Sequence, residues 1–391
     1  MAIVLLSVIS VVILMVALLN WRASRRVEAR LAPLREVGKP ISIQDLQPSE
    51  VGEELNAAKA VERYADELRS FDRQLAEATR DSVTDDQFDE GSMLVAKSIV
   101  QEFSELNEAL RKASRLPAYQ PDLDYSHGPS PFMDQLIDQE ISPRTITRAL
   151  YGHGLMSLAD GKTDDAVEDA IAILRWSDHV ARQPLLLNHL VGTALYMQGI
   201  QLSGRCLYAG DASPAAREML LQACSNESKL LANYEMTLDT ERAFGISSFD
   251  SFPGSRFMLM LGELAAYLDV VSEFQSFSEK PTGIAPDQPT SASIFAGSSW
   301  SALQQGLVSL RRKQALSRTV RILAAWQDAG GEIGTTLTEL DLPEAVTTDP
   351  YDGSQMKWKG VGDTIAIYSV GRDMIDDEGS IEDGRDIGIE P

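Results

Sequence analysis

Histidine and cysteine, the residues that most metal centres and many nucleophilic sites depend on, are scarce: four histidines and two cysteines in 391 residues. Cys206 and Cys224 form no CxxC pair, and no histidine stands at metal-ligand spacing from them. They read as buried free thiols, and a disulfide would need an oxidising compartment. His127, His153, His179 and His189 are scattered, with no H-x-E or HExxH pattern, and read as structural histidines. Positive charge is short as well: 35 Lys and Arg against 58 Asp and Glu leave a formal net charge of −23. That balance excludes a nucleic-acid interface, which needs a concentrated excess of basic side chains. It also argues against a body lying flat on anionic lipid. Missing too are a G-x-S-x-G elbow and a G-x-x-x-x-G-K-[ST] phosphate loop, and Gly152-His153-Gly154 lacks the strand-then-helix setting of one. No catalytic constellation is assembled by the sequence.

What the chain does have is an uncharged apolar start. Met1 to Trp21 carries no charge, and Ala2 to Leu19 is almost entirely Ala, Ile, Val, Leu and Met. About twenty such residues in a helix span a hydrocarbon core of roughly 30 Å. A cleaved signal peptide is the competing reading. Against it, no basic region precedes the run, and Ala17-Leu18-Leu19 is not an A-x-A-like cleavage site. Residues 1–21 therefore read as a retained transmembrane anchor, with the lipid bilayer as partner. Arg22, Arg25, Arg26 and Arg30 follow directly, and the positive-inside rule would keep that flank cytoplasmic.

Residues 22–50, spaced by Pro33, Pro40 and Pro48, read as an extended connector. From Val51 the pattern turns helical, with Leu55, Ala58, Val61, Ala65, Leu68, Phe71 and Leu75 at threes and fours. Met93 to Leu116 repeats it, and the polar residues 81–92 between predict the turn of a long antiparallel hairpin. After a loop over 117–131, helices are predicted at Ile146–Leu158, Thr163–Ala181, Pro184–Tyr208 and Ser213–Ala232, with Ser213-Pro214 a cap followed by a first-turn proline. Asp160-Gly161-Lys162 is the turn of one tetratricopeptide-like pair, but no second copy exists at that period, so a bundle is expected. Asp239 and Arg242 are spaced for a surface i,i+3 ion pair. Phe257 to Phe274 predicts a buried helix. The helical body thus covers 51–278. Residues 279–299, rich in Pro, Ser, Gly and Thr, read as a linker to a C-terminal module at 300–391.

In that module a helix from Ser301 to Ala329, with Leu303, Leu307, Leu310, Leu316, Val320 and Leu323 in a stripe, ends at Gly330-Gly331. Two short strands, Met356–Lys359 and Thr364–Val370, follow; the second is apolar on both faces and so expected under the helix. The order Leu342-Pro343, Asp349-Pro350-Tyr351 with Gly353, then Tyr368-Ser369-Val370-Gly371 with Asp373 and an acidic, glycine-containing tail, resembles the globular head of the major pseudopilin of type II secretion. The resemblance covers residues 305–391. It implies a small antiparallel sheet packed on a long helix and a final loop that binds calcium. A pseudopilin's apolar helix runs straight into its head, whereas here the helical body intervenes, so only the head fold is implied and not polymerisation. Uncharacterised bacterial membrane-anchored proteins with helical bodies and such tails are similar over the whole chain.

Calcium takes six to eight oxygen ligands on a flexible loop. Asp373, Asp376, Asp377, Asp383 and Asp386, with Glu378 beside them and Gly379 and Gly384 to turn the backbone, supply carboxylates in number. Their spacing is not that of an EF-hand, and a solvated, fraying acidic tail is the other reading. The chain as a whole reads as mainly α: a transmembrane helix, a helical bundle and a small α+β module with a short antiparallel sheet. The function expected is that of a single-span bacterial envelope protein, non-enzymatic, with an interaction or assembly role beside a secretion-type machine. Protein partners belong to that expectation, and so does an extracytoplasmic body, which the resemblance implies against the positive-inside reading of the arginine flank. The alternative is an anchored hydrolase using acidic residues and His179 or His189 within the helical body.

Overall fold

A computed structural model of the chain describes residues 2–79, 97–138, 141–287, 294–333, 335–381 and 383–391. Its first helix, α1 (Ala2–Glu36), joins two halves of different chemistry. From Val8 to Trp21 the apolar side chains, Val11, Leu14 and Trp21 among them, are exposed. By length and composition this helix can cross a membrane. Its second half buries Val27 and Leu31, one turn apart, in a core shared with Phe274 and Trp300. Arg30 between them donates to both carboxylate oxygens of Asp269 at 2.6 Å.

That packing corrects the extended reading of residues 22–50 over its first part. Pro33 removes one helical donor, but burying a Val and a Leu returns about 2 kcal/mol each, so the helix continues to Glu36. It stops where Gly38 takes φ 68°. There the Gly38 amide bonds Arg35 O at 3.1 Å and the Lys39 amide bonds Leu34 O at 2.9 Å, a paired C-terminal cap. The chain then crosses the body: Lys39 pairs with Asp239 at 2.5 Å and Ile43 is fully buried beside Phe132.

The first arm of the predicted hairpin is two helices, α2 (Ala57–Glu62) and α3 (Ala65–Thr79), and its second arm includes α4 (Ser104–Ser114); α2 lies against α4, the Phe71 ring of α3 meets that of Phe103 at 5.6 Å, and the turn at 81–92 lies outside the described residues. After α5 (Pro129–Ile137) come α6 (Pro143–Ala159), α7 (Thr163–Ala181) and α8 (Leu185–Ala209). Gly161, at φ 70°, makes the α6–α7 turn. Helices α7 and α8 approach closely because glycines face α7: a Cβ on Gly192 would sit 2.9 Å from Ser177 O.

The single helix predicted from Ser213 to Ala232 is two, α9 (Pro214–Cys224) and α10 (Glu227–Ser251). Ser213 caps the first through the Ala216 amide at 3.2 Å, and Asn226 caps the second through the Lys229 amide at 3.1 Å. An internal cap residue that restarts a helix is hidden by the unbroken apolar spacing around it. The Asp239–Arg242 pair forms at 2.7 Å but is buried, a correction to its surface reading.

Helix α11 (Met258–Ser278) is followed by α12 (Ile294–Asp328), which starts inside the predicted linker 279–299. Ala285 and Trp300 are buried on either side of that start. Helix α12 is the spine. Trp300, Leu303, Leu307 and Leu310 join the core of α1, α10 and α11, while Leu316, Val320 and Leu323 join that of α7 and α8. After α13 (Glu344–Thr347) comes an antiparallel sheet in the order β1 (Lys357–Val361), β2 (Thr364–Ser369), β3 (Ile387–Ile389). β3 was not legible in the acidic tail. The sheet lies on α12 and α8: Tyr208 of α8 donates to Ile365 O at 2.9 Å, and Gly204 leaves room for Ile389. Ile365, Ile367, Ile387 and Ile389 belong to the same core as Val167 and Leu202 of the body.

Candidate functional site

The residues of the tail motif meet around one carboxylate. Asp349 is fully buried. Its Oδ1 accepts from the Tyr351 amide at 2.8 Å and the Ser369 hydroxyl at 2.9 Å, and its Oδ2 from the Val370 amide at 2.9 Å. Burial raises its pKa, only partly offset by those same donors. Pro350 directs the chain into a turn closed by Gly353 at φ 77°. Tyr351, also fully buried, donates to Val308 O of α12 at 3.1 Å. At Gly371, φ 70°, a Cβ would stand 2.6 Å from Arg385 O. Asp349, Tyr351, Gly353, Ser369 and Gly371 therefore form a staple that pins the sheet to the spine.

In the acidic loop from Gly371 to Asp386 the structure, over the described residues, distributes the five carboxylates rather than gathering them all. Asp373 accepts from the Ile375 amide at 3.2 Å. Asp376 accepts from the Tyr368 hydroxyl at 3.2 Å and the Glu378 amide at 3.1 Å. Asp377 faces Arg385 at 3.4 Å, and Asp383 accepts from Ser380 at 3.1 Å. Asp386 differs: it is 2% exposed, and its Oδ2 accepts from the Gly379 and Ser380 amides at 2.8 and 3.1 Å. Its Oδ1 is buried with no well-formed hydrogen bond. Burial raises the pKa of this carboxyl, partly offset by the amides of Gly379, Ser380 and Asp377. Lys359 already brings a positive charge to the loop, donating to Glu378 O at 3.1 Å and Gly379 O at 2.7 Å.

Among the described residues no three carboxylates, histidines or thiols gather as a metal ion requires. The orphaned Asp386 Oδ1 fits an anchoring ligand, Asp376 is the carboxylate whose charge acts on it, and the other oxygens of a calcium shell would have to come from backbone and water.

His179 and His153 have hydrogen-bond partners, whereas both ring nitrogens of His189 are buried with no well-formed hydrogen bond. His179 is buried; it donates from Nε2 to Ser114 O at 3.1 Å and accepts from Arg182 at 3.0 Å. Burial, with Arg182 nearby, lowers its pKa to about 4. His189 is fully buried against Tyr234, ring centroids 5.4 Å apart, and burial holds it well below the usual range. His153 is the one buttressed by a buried carboxylate, with Nδ1 2.6 Å from Asp169 Oδ2 while Arg111 donates to Oδ1 at 2.6 Å. Neither partner stands near His153 in sequence in a recognisable motif, and only the packing of α4, α6 and α7 unites them. Both thiols are buried and their pKa values pushed up to about 12, which makes them inert.

Sequence reasoning also missed Lys313. It occupies the run Arg311-Arg312-Lys313 on α12, where nothing in the local pattern marks any of the three as buried. Instead Arg311 is fully buried and donates to the carbonyls of Gly283, Phe277 and Lys280, holding down the segment after α11. Lys313 is 1% exposed, and its Nζ has no hydrogen-bond partner. No family model, curated protein or solved structure matches this chain.

Proposed function

We infer that the chain is a single-span envelope protein of a bacterium, anchored through residues 1–21, whose body lies outside the cytoplasm and serves assembly or interaction rather than catalysis. The observation that carries this reading is the exposed apolar row from Val8 to Trp21 in a helix whose other half is locked to the body by Val27, Leu31 and the Arg30–Asp269 pair. The resemblance of residues 305–391 to a pseudopilin head supports a place beside a secretion-type machine. Calcium at the acidic loop belongs to the same reading: Asp386 would hold it, with Asp376, whose charge already acts on Asp386.

The test is fractionation with alkaline carbonate, then protease added to intact cells and to spheroplasts. The expected result is a membrane pellet and a body cut only once the outer barrier is opened. A soluble chain, or a body protected in spheroplasts, would overturn the reading.

A further inference from the structure

A cavity of 440 Å³ opens between α7, α9, α10 and α12. Its charged lining is Arg175, Lys229 and Lys313 against a single carboxylate, Asp178. That carboxylate is already engaged, by Lys229 at 2.8 Å, Arg182 at 3.1 Å and the Asn233 amide at 2.9 Å. The lining therefore carries an excess of positive charge in a chain whose net charge is −23. Lys313 is the unusual member, because a buried ammonium without a counter-ion costs several kcal/mol. Burial lowers its pKa to about 7, with Asp178 the one group raising it. His189, close enough to feel its charge, is neutral and gives no compensation. A methionine would fill the same space without that cost, so the ammonium is retained for something other than stability.

The remaining walls say what accompanies the charge. Leu174, Met219, Ala223 and Leu230 form an apolar side, while Gln222 and Asn226 line the same cavity with amides. The volume is in the range of small-molecule sites, which combine apolar walls with a few placed polar groups.

We propose that this cavity binds a small organic anion, a carboxylate or phosphate ester with a short apolar chain, whose anionic group is the missing counter-ion of Lys313. Arg175 and Lys229 at the mouth draw the anion in, and the chain lies against Leu174, Met219 and Leu230. The site is independent of the anchor and of the acidic loop, so it stands or falls separately from the function inferred above.

The experiment is isothermal titration of the full chain in phosphatidylcholine nanodiscs with hexanoate, hexyl phosphate and neutral hexanamide. One or both anions are expected to bind saturably at one site, at least tenfold more tightly than hexanamide. Lys313→Met removes an unpaired buried charge and is expected to stay folded, confirmed by circular dichroism, yet to lose tenfold or more in anion affinity. Arg175→Met, an exposed change, is expected to weaken the same anion in the same direction. Binding of neither anion, equal binding of hexanamide, or anion binding indifferent to both substitutions would overturn the proposal.

Discussion

The Ser369 hydroxyl donates to Asp349 Oδ1 at 2.9 Å across twenty residues of chain, and neither group reaches solvent. This bond, with the two amides on the same carboxylate, decides where β2 ends and how the sheet meets α12. A buried carboxylate satisfied by three donors is costly to remove, because its partners are left unpaired.

Asp349→Ala is therefore expected to destabilise the protein by about 3 kcal/mol. Asp349→Asn retains an acceptor for the Tyr351 amide and is expected to cost less. Urea denaturation followed by circular dichroism measures both; equal stability of Asp349→Ala and the parent would remove the staple.

The stem of α1 gives a second expectation. Leu31→Asp places an unpaired charge in the core shared with Phe274, and about 2 kcal/mol of local stability is lost. Hydrogen exchange over residues 22–40 is expected to quicken while membrane partitioning, carried by Val8 to Trp21, stays unchanged. Breaking only Arg30–Asp269, whose side chains are partly exposed, is expected to have an effect below about 1 kcal/mol.

Lys313 supplies a pH dependence. In the folded chain it loses its proton near pH 7, against an ordinary value of 10.5. Between those values the unfolded chain binds more protons, so this residue makes stability rise with pH from about 7 to about 10.5 and contributes nothing to the slope below that window. The slope is at most about 1.4 kcal/mol per pH unit. Subtracting the Lys313→Met curve isolates it from Arg175, Asp178, Lys229 and His189 around it, and a variant that keeps the full rise would contradict the assignment.

Calcium titration of the full chain reads the acidic loop. Binding is expected to raise the melting temperature, and Asp386→Asn, which keeps an acceptor for the Gly379 and Ser380 amides, is expected to weaken it at least tenfold. No heat and no shift in melting temperature would remove the ion from this loop.

Packing between α7 and α8 can be probed at Gly192. Its added Cβ would press on Ser177 O and on Ala181 Cβ, both 2.9 Å away and both fixed by their helix. Gly192→Ala is expected to cost about 1–3 kcal/mol despite alanine's better helix propensity, since neither neighbour can yield. An unchanged or raised melting temperature would mean that the two helices can part freely.

Local pattern determined much of this protein. Apolar spacing at threes and fours is a property of the chain itself, so the body helices, the uncharged first span and the two longer strands were legible without coordinates. The order of Asp349, Tyr351, Ser369 and Gly371 along the chain was marked only through the resemblance to a pseudopilin head, and their meeting around one carboxylate belongs to the fold. Tertiary structure decided the rest, because the deciding energies came from partners distant in sequence. Pro33 stays in a helix only because Val27 and Leu31 find a core on α11. Ile387 to Ile389 become a strand only because β2 offers a free edge, and His153 meets Asp169 only where α6 lies on α7. Lys313 lies in the middle of α12 where α8, α9 and α10 flank it, so a residue that by type belongs in water ends up buried with no counter-ion.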